Sequence, residues 1–97
     1  MIDLYTWATP NGRKISIMLE ELDLEYKVIP INIIKNEQFS DNFLKISPNN
    51  KIPAIIDHDS DTTLMESGAI LLYLANKYKK LLPNNDVDRN KCIEWLF

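Results

Sequence analysis

The sequence predicts an α/β fold in which helices cover both faces of a four-stranded mixed sheet. Its N-terminal part carries a strand pattern, a helical stripe and a second strand pattern, which is the order of a βαβ unit. Its C-terminal part carries two short strand patterns around a turn, followed by a strongly apolar helix. A βαβ crossover pairs its strands in parallel and a hairpin pairs them antiparallel, so both kinds of pairing are expected in one sheet.

The βαβ unit is predicted from the first third of the chain. Residues 2–5 alternate apolar and polar side chains and predict a strand, and the turn or cap signal Thr9-Pro10-Asn11-Gly12 follows. Residues 26–34 are rich in β-branched side chains and predict a second strand, and a short helix is expected at 40–46. The helix between the two strands is predicted from apolar residues spaced i, i+3, i+4 and i+7, namely Ile15, Met18, Leu19 and Leu22.

The hairpin and the apolar helix are predicted from residues 52–78. A strand over 52–56 has Pro53 at its start, where a missing N–H is tolerated. A turn and a strand over 62–65 follow, and then a helix over 67–78 with little polar face. The order βαβ-α-ββα makes a thioredoxin-like architecture the simplest assembly, and residues 87–97 begin a further helix.

Composition narrows the class of protein. The formal net charge is −3, from 11 basic and 14 acidic residues, which argues against nucleic acid as a partner. No apolar run reaches the length of a membrane span and no signal-peptide pattern is visible, so we expect a cytoplasmic protein with no membrane partner. Cys92 is the single cysteine, which rules out an internal disulfide.

No metal site is expected. The acidic turn Asp57–Asp61 resembles the start of a calcium-binding loop, but Thr62 and Gly68 stand where that loop needs glycine and glutamate. His58 has no partner at metal-ligand spacing, so we interpret it as a solvated turn residue.

The segment Thr9–Gly12 is the first candidate site. Thioredoxin-type redox proteins carry a Cys-x-x-Cys pair at this helix start, and here neither end is cysteine. The hydroxyl of Thr9 and the carboxamide of Asn11 can donate hydrogen bonds to the sulfur of a bound thiol and favour its thiolate. The alternative is simple capping, with Thr9 as the N-cap and Pro10 at the first helical position, and the segment taken alone favours capping.

Two further segments are candidate binding sites. A cis peptide bond before Pro53 would turn the backbone N–H and C=O of Ile52 outward, where an extended peptide can pair with them, although most X-Pro bonds are trans. Glu66 and Ser67 stand at the start of the apolar helix and match the ammonium and carboxylate of an amino-acid head. The alternative is again capping, with Ser67 as the N-cap.

These segments, in this order and spacing, resemble the N-terminal domain of glutathione transferases. The match is closest to the bacterial Nu-class, YfcG-like disulfide-bond oxidoreductases, which are related to the Ure2-like proteins. It covers essentially the whole chain, and Ser-Pro-Asn-Asn-Lys-Ile-Pro-Ala at 47–54 is its most specific run. The wider superfamily is marked by Glu-Ser-Gly-Ala-Ile at 66–70.

The resemblance implies glutathione as the co-substrate, with no metal. Glu66 and Ser67 would hold its γ-glutamyl head. Ile52, before a cis Pro53, would pair through its backbone with the cysteinyl unit.

The same resemblance assigns the other end of glutathione and its sulfur. Gln38 and Lys51 would face the glycyl end, and Thr9 and Asn11 would lie beside the sulfur as the catalytic residues. Members of this branch lack the catalytic Tyr, Ser or Cys of other transferases, so the thiols would come from glutathione.

The resemblance also implies a domain organisation and an activity. Residues 1–80 would form the glutathione-binding domain, 81–86 a linker, and 87–97 the first part of a truncated all-helical domain. The complete protein is expected to be a homodimer that uses glutathione to reduce a disulfide or to attack a small electrophile. The alternatives are a non-catalytic glutathione-binding or regulatory module, or an inactive truncated fragment.

Overall fold

Four strands form one mixed sheet in the computed structural model, which describes residues 1–97. The sheet has the order β2-β1-β3-β4. β1 pairs in parallel with β2, whereas β3 pairs antiparallel with both β1 and β4. The predicted mixed sheet and thioredoxin-like architecture are therefore confirmed. The strands are β1 (Ile2–Thr6), β2 (Tyr26–Pro30), β3 (Ala54–Asp57) and β4 (Thr62–Met65).

Four α-helices follow the predicted order. The two 12-residue helices begin and end close to the positions that apolar periodicity predicts. Two short 3₁₀ helices, Ile33–Lys35 and Glu37–Phe39, come before the second α-helix. The α-helices are α1 (Pro10–Glu21), α2 (Asp41–Leu44), α3 (Ser67–Tyr78) and α4 (Asp86–Leu96).

The predicted extension of the second strand to residue 34 is wrong. β2 ends at Pro30, and the side-chain oxygen of Asn32 accepts hydrogen bonds from the N–H groups of Ile34 and Lys35. A side chain that hydrogen-bonds the backbone just ahead of it starts a helical turn, and this local bond overrides the strand propensity of the isoleucines.

The third strand is displaced from its predicted range. It was expected over 52–56 and runs over Ala54–Asp57. Pro53 has no N–H to donate to a neighbouring strand, and the backbone N–H and C=O of Ile52 have no hydrogen-bond partner in the chain. The ladder with β1 therefore begins only at Ala54, which pairs with Tyr5.

Apolar side chains pack on both faces of the sheet. On one face Leu4 and Ile55 pack against α1 and α3, and on the other face Ala54 packs against Phe43 of α2. Adjacent residues of β3 point to opposite faces because side chains alternate along a strand. The main cluster consists of Ile2, Leu4, Ile15, Met18, Leu19, Leu22, Ile55, Ile70, Leu74 and Ala75.

Asp57 is a fully buried carboxylate at the end of β3, although the sequence placed it in a turn. It accepts hydrogen bonds from the Tyr73 hydroxyl at 2.6 Å, from the Lys77 ammonium, and from the Asp59 N–H at 3.1 Å. Burial raises the pKa of Asp57, but these hydrogen bonds outweigh it, so the pKa lies below its ordinary value. This network ties the β3–β4 turn to α3.

The last helix is joined to α3 by a short connection. The side chain of Asn85 caps α4 by accepting from the Asp88 N–H at 2.9 Å, so the helix begins at Asp86. Trp95 and Phe97 of this segment are 86% and 87% exposed. None of the helices combines the length and apolar character that crossing a bilayer requires. The division into domains at 81–86 stays a prediction.

Candidate functional site

A polar groove lies where the start of α1, the loop before β3 and the start of α3 meet. It consists of two adjoining depressions of about 140 and 340 Å³ that share Asn11, Lys51 and Ile52. The smaller depression is also lined by Ser47, Pro53, Met65, Glu66 and Ser67. The larger is also lined by Thr9, Ile33, Gln38 and Asn50. Every site residue predicted from the sequence therefore lies in this groove.

Thr9 is the N-cap of α1, as the capping alternative predicted. Its hydroxyl oxygen accepts a hydrogen bond from the Gly12 N–H at 3.1 Å, and Pro10 occupies the first turn. An accepting hydroxyl keeps its own proton for a second partner. Asn11 is exposed, and its carboxamide has no hydrogen-bond partner in the chain. Both side chains can therefore donate to an atom bound in the groove.

Gly12 brings the start of α1 against the end of β1. A Cβ at this position would lie 2.3 Å from the Thr6 hydroxyl oxygen and 2.6 Å from the Trp7 carbonyl oxygen. Only glycine fits such an approach, so residue 12 allows the start of α1 to lie against the end of β1.

The loop before β3 presents main-chain groups to the groove. The peptide bond between Ile52 and Pro53 is cis, as predicted. Ile52 lines both depressions, and its backbone N–H and C=O have no partner in the chain. The ammonium group of Lys51 forms no ion pair, so this loop offers one cation and two backbone groups to a ligand.

The start of α3 differs from the predicted cap. Glu66, not Ser67, is the N-cap residue, and it makes no capping hydrogen bond with its side chain. Glu66 has φ 73° and ψ 118°, a conformation that residues with a Cβ rarely adopt. The Glu66 carboxylate and the Ser67 hydroxyl have no partners in the chain, so both are available to a ligand at the helix N-terminus.

Gln38 lines the larger depression. Its side-chain oxygen is buried and has no hydrogen-bond partner. A buried, unpaired carbonyl oxygen is costly, which marks this position as one where a donor is missing. The 3₁₀ helix Glu37–Phe39 holds it there.

No protein thiol lines the groove. Cys92 lies in a separate apolar cavity beside α4, together with Met18 and Leu72. No group of three or more His, Cys, Asp or Glu side chains is arranged to hold a metal ion. Tyr5 lies between Asp3 and the small cluster around Phe43, where burial first and the Asp3 charge second raise the pKa of its hydroxyl.

Sequence reasoning missed four groove residues. Ile33 was assigned to a strand, and the turn at 47–50 was predicted without a role in the site. Asn50 adopts φ 49°, and asparagine is one of the few residues that tolerate this region, so its type was an available signal. The missed residues are Ile33, Ser47, Asn50 and Met65.

Comparison with known proteins identifies the family. Residues 1–76 match the family model described as "Glutathione S-transferase, N-terminal domain". This chain belongs to the glutathione S-transferase family. It is 50% identical over 102 residues to the disulfide-bond oxidoreductase YfcG of Escherichia coli K12, a match that covers 100% of this chain and 47% of YfcG. It is 40% identical over 97 residues to the protein URE2 of Meyerozyma guilliermondii, covering 93% of this chain and 32% of URE2.

Solved structures of the glutathione S-transferase family have the same fold. A glutathione transferase family member from Pseudomonas fluorescens pf-5, solved with two glutathione bound, superposes with a TM-score of 0.92 at 47% identity. The match covers 98% of this chain and 44% of that chain. The chain thus spans about half the length, or less, of the relatives it matches.

Proposed function

We propose that the polar groove binds glutathione and that the complete protein uses it to reduce disulfides. The observation that carries the proposal is the set of unpaired groups along the groove: Glu66 and Ser67 at one end, the backbone of Ile52 in the middle, and Gln38 at the other end. Glutathione is a tripeptide with an amino-acid head, a central peptide and a terminal carboxylate. The types of group and their order match.

The γ-glutamyl head fits the start of α3. The Glu66 carboxylate accepts from the ammonium of the head, and the Ser67 hydroxyl donates to its carboxylate. The positive end of the helix dipole favours the same carboxylate. A head that carried only one charge would use half of these contacts, so the arrangement selects for an α-amino acid.

The cysteinyl and glycyl units fit the remaining groove. The N–H and C=O of Ile52 pair with the cysteinyl backbone as one residue of an added strand. The ammonium of Lys51 attracts the glycyl carboxylate, and the Gln38 side chain, which lines the same depression, faces the glycyl end.

Thr9 and Asn11 act on the sulfur. Their donors, together with the N-terminus of α1, favour the thiolate of bound glutathione over its thiol. The thiolate attacks one sulfur of a disulfide, giving a mixed disulfide and one released thiolate. A second glutathione thiolate then attacks the mixed disulfide, which yields glutathione disulfide and the second released thiol. Two glutathione molecules supply the two electrons, so no protein cysteine is needed.

Reduction is favoured over transfer to an electrophile by the similarity to YfcG, which is named a disulfide-bond oxidoreductase. The similarity to URE2 favours the second candidate, a glutathione-binding module without turnover. A homodimer is proposed for the complete protein in either case.

The test is a titration of the full-length protein with reduced glutathione, followed by amide resonances. Binding should shift the amides of residues 11, 52 and 66–68, and amides of the distant Asp57 turn serve as the internal control. Unshifted groove amides at millimolar glutathione would overturn the proposal. Reduction of a small model disulfide, measured in the same preparation, separates the enzyme from the binding module.

A further inference from the structure

Ser47 lines the smaller depression, yet its side chain is 0% exposed. Its hydroxyl oxygen lies 2.8 Å from the Lys51 carbonyl oxygen and 3.4 Å from the Lys51 nitrogen. A hydroxyl has one proton, so it donates to the nearer carbonyl and accepts from the N–H. The sulfur of Met65, at 3.8 Å, is then a packing contact. One side chain thus satisfies both backbone groups of Lys51.

The hydroxyl is held in place from two sides. The Ser47 N–H donates to the Phe43 carbonyl at 2.8 Å, and Phe43 is a core residue that is 2% exposed. The Ser47 carbonyl accepts from the Asn50 N–H at 2.9 Å, which closes the turn. The position of this hydroxyl is therefore set by α2 and the turn and does not depend on a ligand.

This contact fixes the direction of a group in the groove. The Lys51 carbonyl and the Ile52 N–H belong to one trans peptide unit, because the bond after Ile52 is the only cis bond in the chain. In a planar trans unit the C=O and N–H point in opposite directions. The carbonyl points at the buried Ser47 hydroxyl, so the Ile52 N–H points away from it. That N–H has no partner in the chain.

We propose that Ser47 is a positioning residue: by holding the Lys51 carbonyl, it aims the Ile52 N–H at the backbone of a bound peptide. The inference rests on the proposed function, which supplies glutathione as that peptide. Without the hydroxyl the peptide unit at 51–52 is free to rotate, and part of the binding free energy is then spent on orienting it. Losing one hydrogen bond of this kind lowers glutathione affinity about threefold to tenfold.

The test compares substitutions that separate the hydroxyl from side-chain volume. Ser47→Ala removes the hydroxyl. Ser47→Thr and Ser47→Val add nearly equal volume, but only threonine keeps the hydroxyl, so this pair remains informative if alanine weakens the fold. Ser16→Ala is the matched control, since the Ser16 hydroxyl donates to the Arg13 carbonyl at 3.1 Å and does not line the groove. Calorimetric titration of the full-length variants with glutathione gives the affinities.

Affinity should fall threefold to tenfold in the alanine and valine variants of Ser47 and stay near the wild-type value in Ser47→Thr and Ser16→Ala. The Ile52 amide resonance of the free protein should also move in Ser47→Ala and keep its place in Ser16→Ala. Wild-type affinity in Ser47→Ala, or an unmoved Ile52 amide, would overturn the positioning role alone. Failure of the wild type to bind glutathione would overturn the proposed function. The position of the Ile52 amide resonance in Ser47→Ala would still test whether Ser47 orients the peptide unit at 51–52.

Discussion

The carboxylate of Asp57 at the end of β3 binds the ammonium group of Lys77 in the last turn of α3. Asp57 has no solvent exposure, whereas the Lys77 side chain is 27% exposed. The hydrogen bond to Asp57 raises the pKa of Lys77, so both partners stay charged at neutral pH. The pair therefore joins a strand to a helix through two residues that are 20 positions apart in sequence.

Replacing Lys77 by methionine should destabilise the fold by about 2 kcal/mol, because it leaves the Asp57 carboxylate buried with only Tyr73 and one N–H as donors. Urea unfolding measures the change. Lys80→Met is the control, since Lys80 is exposed and forms no ion pair, and it should leave the midpoint unchanged. Equal midpoints for the two variants would show that the pair adds no stability.

Stability should fall in acid through Asp57. Its pKa is lower in the folded chain than in the unfolded chain. An aspartate in an unfolded chain has a pKa of about 3.9. Its contribution is complete above that value and is lost as the pH falls through the folded pKa. Urea midpoints from neutral pH to about pH 2 should therefore show the wild type converging on Asp57→Asn below about pH 4. A gap of constant size over the whole range would contradict this assignment.

Replacing Glu66 by glycine should affect the stability of the fold and the affinity for glutathione in different ways. Its positive φ stores about 1–3 kcal/mol of backbone strain, which glycine relieves. Glu66→Gly should therefore keep or raise the urea midpoint, while glutathione affinity falls about tenfold or more through loss of the carboxylate. Glu66→Gln keeps the strain and loses the charge, so it should lose affinity with no gain in stability. If the glycine variant binds glutathione as tightly as the wild type, the Glu66 carboxylate does not contribute to binding.

The two glycines of the chain should respond oppositely to alanine. A Cβ on Gly68 would lie 3.5 Å from the Phe97 ring, an ordinary contact, so Gly68→Ala should stabilise α3 by about 0.5–1 kcal/mol. A Cβ on Gly12 would overlap Thr6 and Trp7, so Gly12→Ala should destabilise by about 1–3 kcal/mol. Thermal unfolding of both variants checks the signs, and the same sign for both would contradict the packing described at α1.

Asn11 should matter more for the thiolate than for binding. In Asn11→Ala, bound glutathione should have a roughly tenfold smaller thiolate fraction at neutral pH, because a hydrogen bond to a charged sulfur is lost. The affinity should change much less, since the head and glycyl contacts remain. Ultraviolet absorbance of the thiolate against pH provides the measurement, and Asn49→Ala, outside the groove, is the control. An unchanged thiolate fraction would assign the effect to Thr9 or the helix end alone.

Features with a regular period or a local signature could be predicted from the sequence. α1 and α3 carry apolar residues at helical spacing, so their burial followed from the pattern. The Thr9 cap and the cis bond before Pro53 had local signatures of their own. Four of the predicted site residues lie in the groove because they stand at the starts of α1 and α3, which were correctly predicted. Gln38 and Lys51 lie outside correctly predicted elements, and only the resemblance to the glutathione transferases assigned them to the site.

Features that depend on distant partners could not be predicted. The burial of Asp57 is possible only because Lys77 reaches it across the fold, and nothing near Asp57 in the sequence signals this. The positive φ of Glu66 is not encoded in its residue type, so capping rules placed the N-cap one residue late, at Ser67, although the predicted range of the helix is correct. The role of Ser47 required knowing that its hydroxyl faces Lys51.

The groove is lined by caps, loop residues and residues in short elements or near the ends of longer ones, whereas the main core lies mostly inside elements. The two sets share no residue. Ligand recognition and core packing can therefore change independently in evolution. A substitution at Asn11 or Gln38 alters what is bound and leaves the packing of the main core unchanged. Such a division allows one scaffold to acquire new ligands by single replacements without first acquiring spare stability.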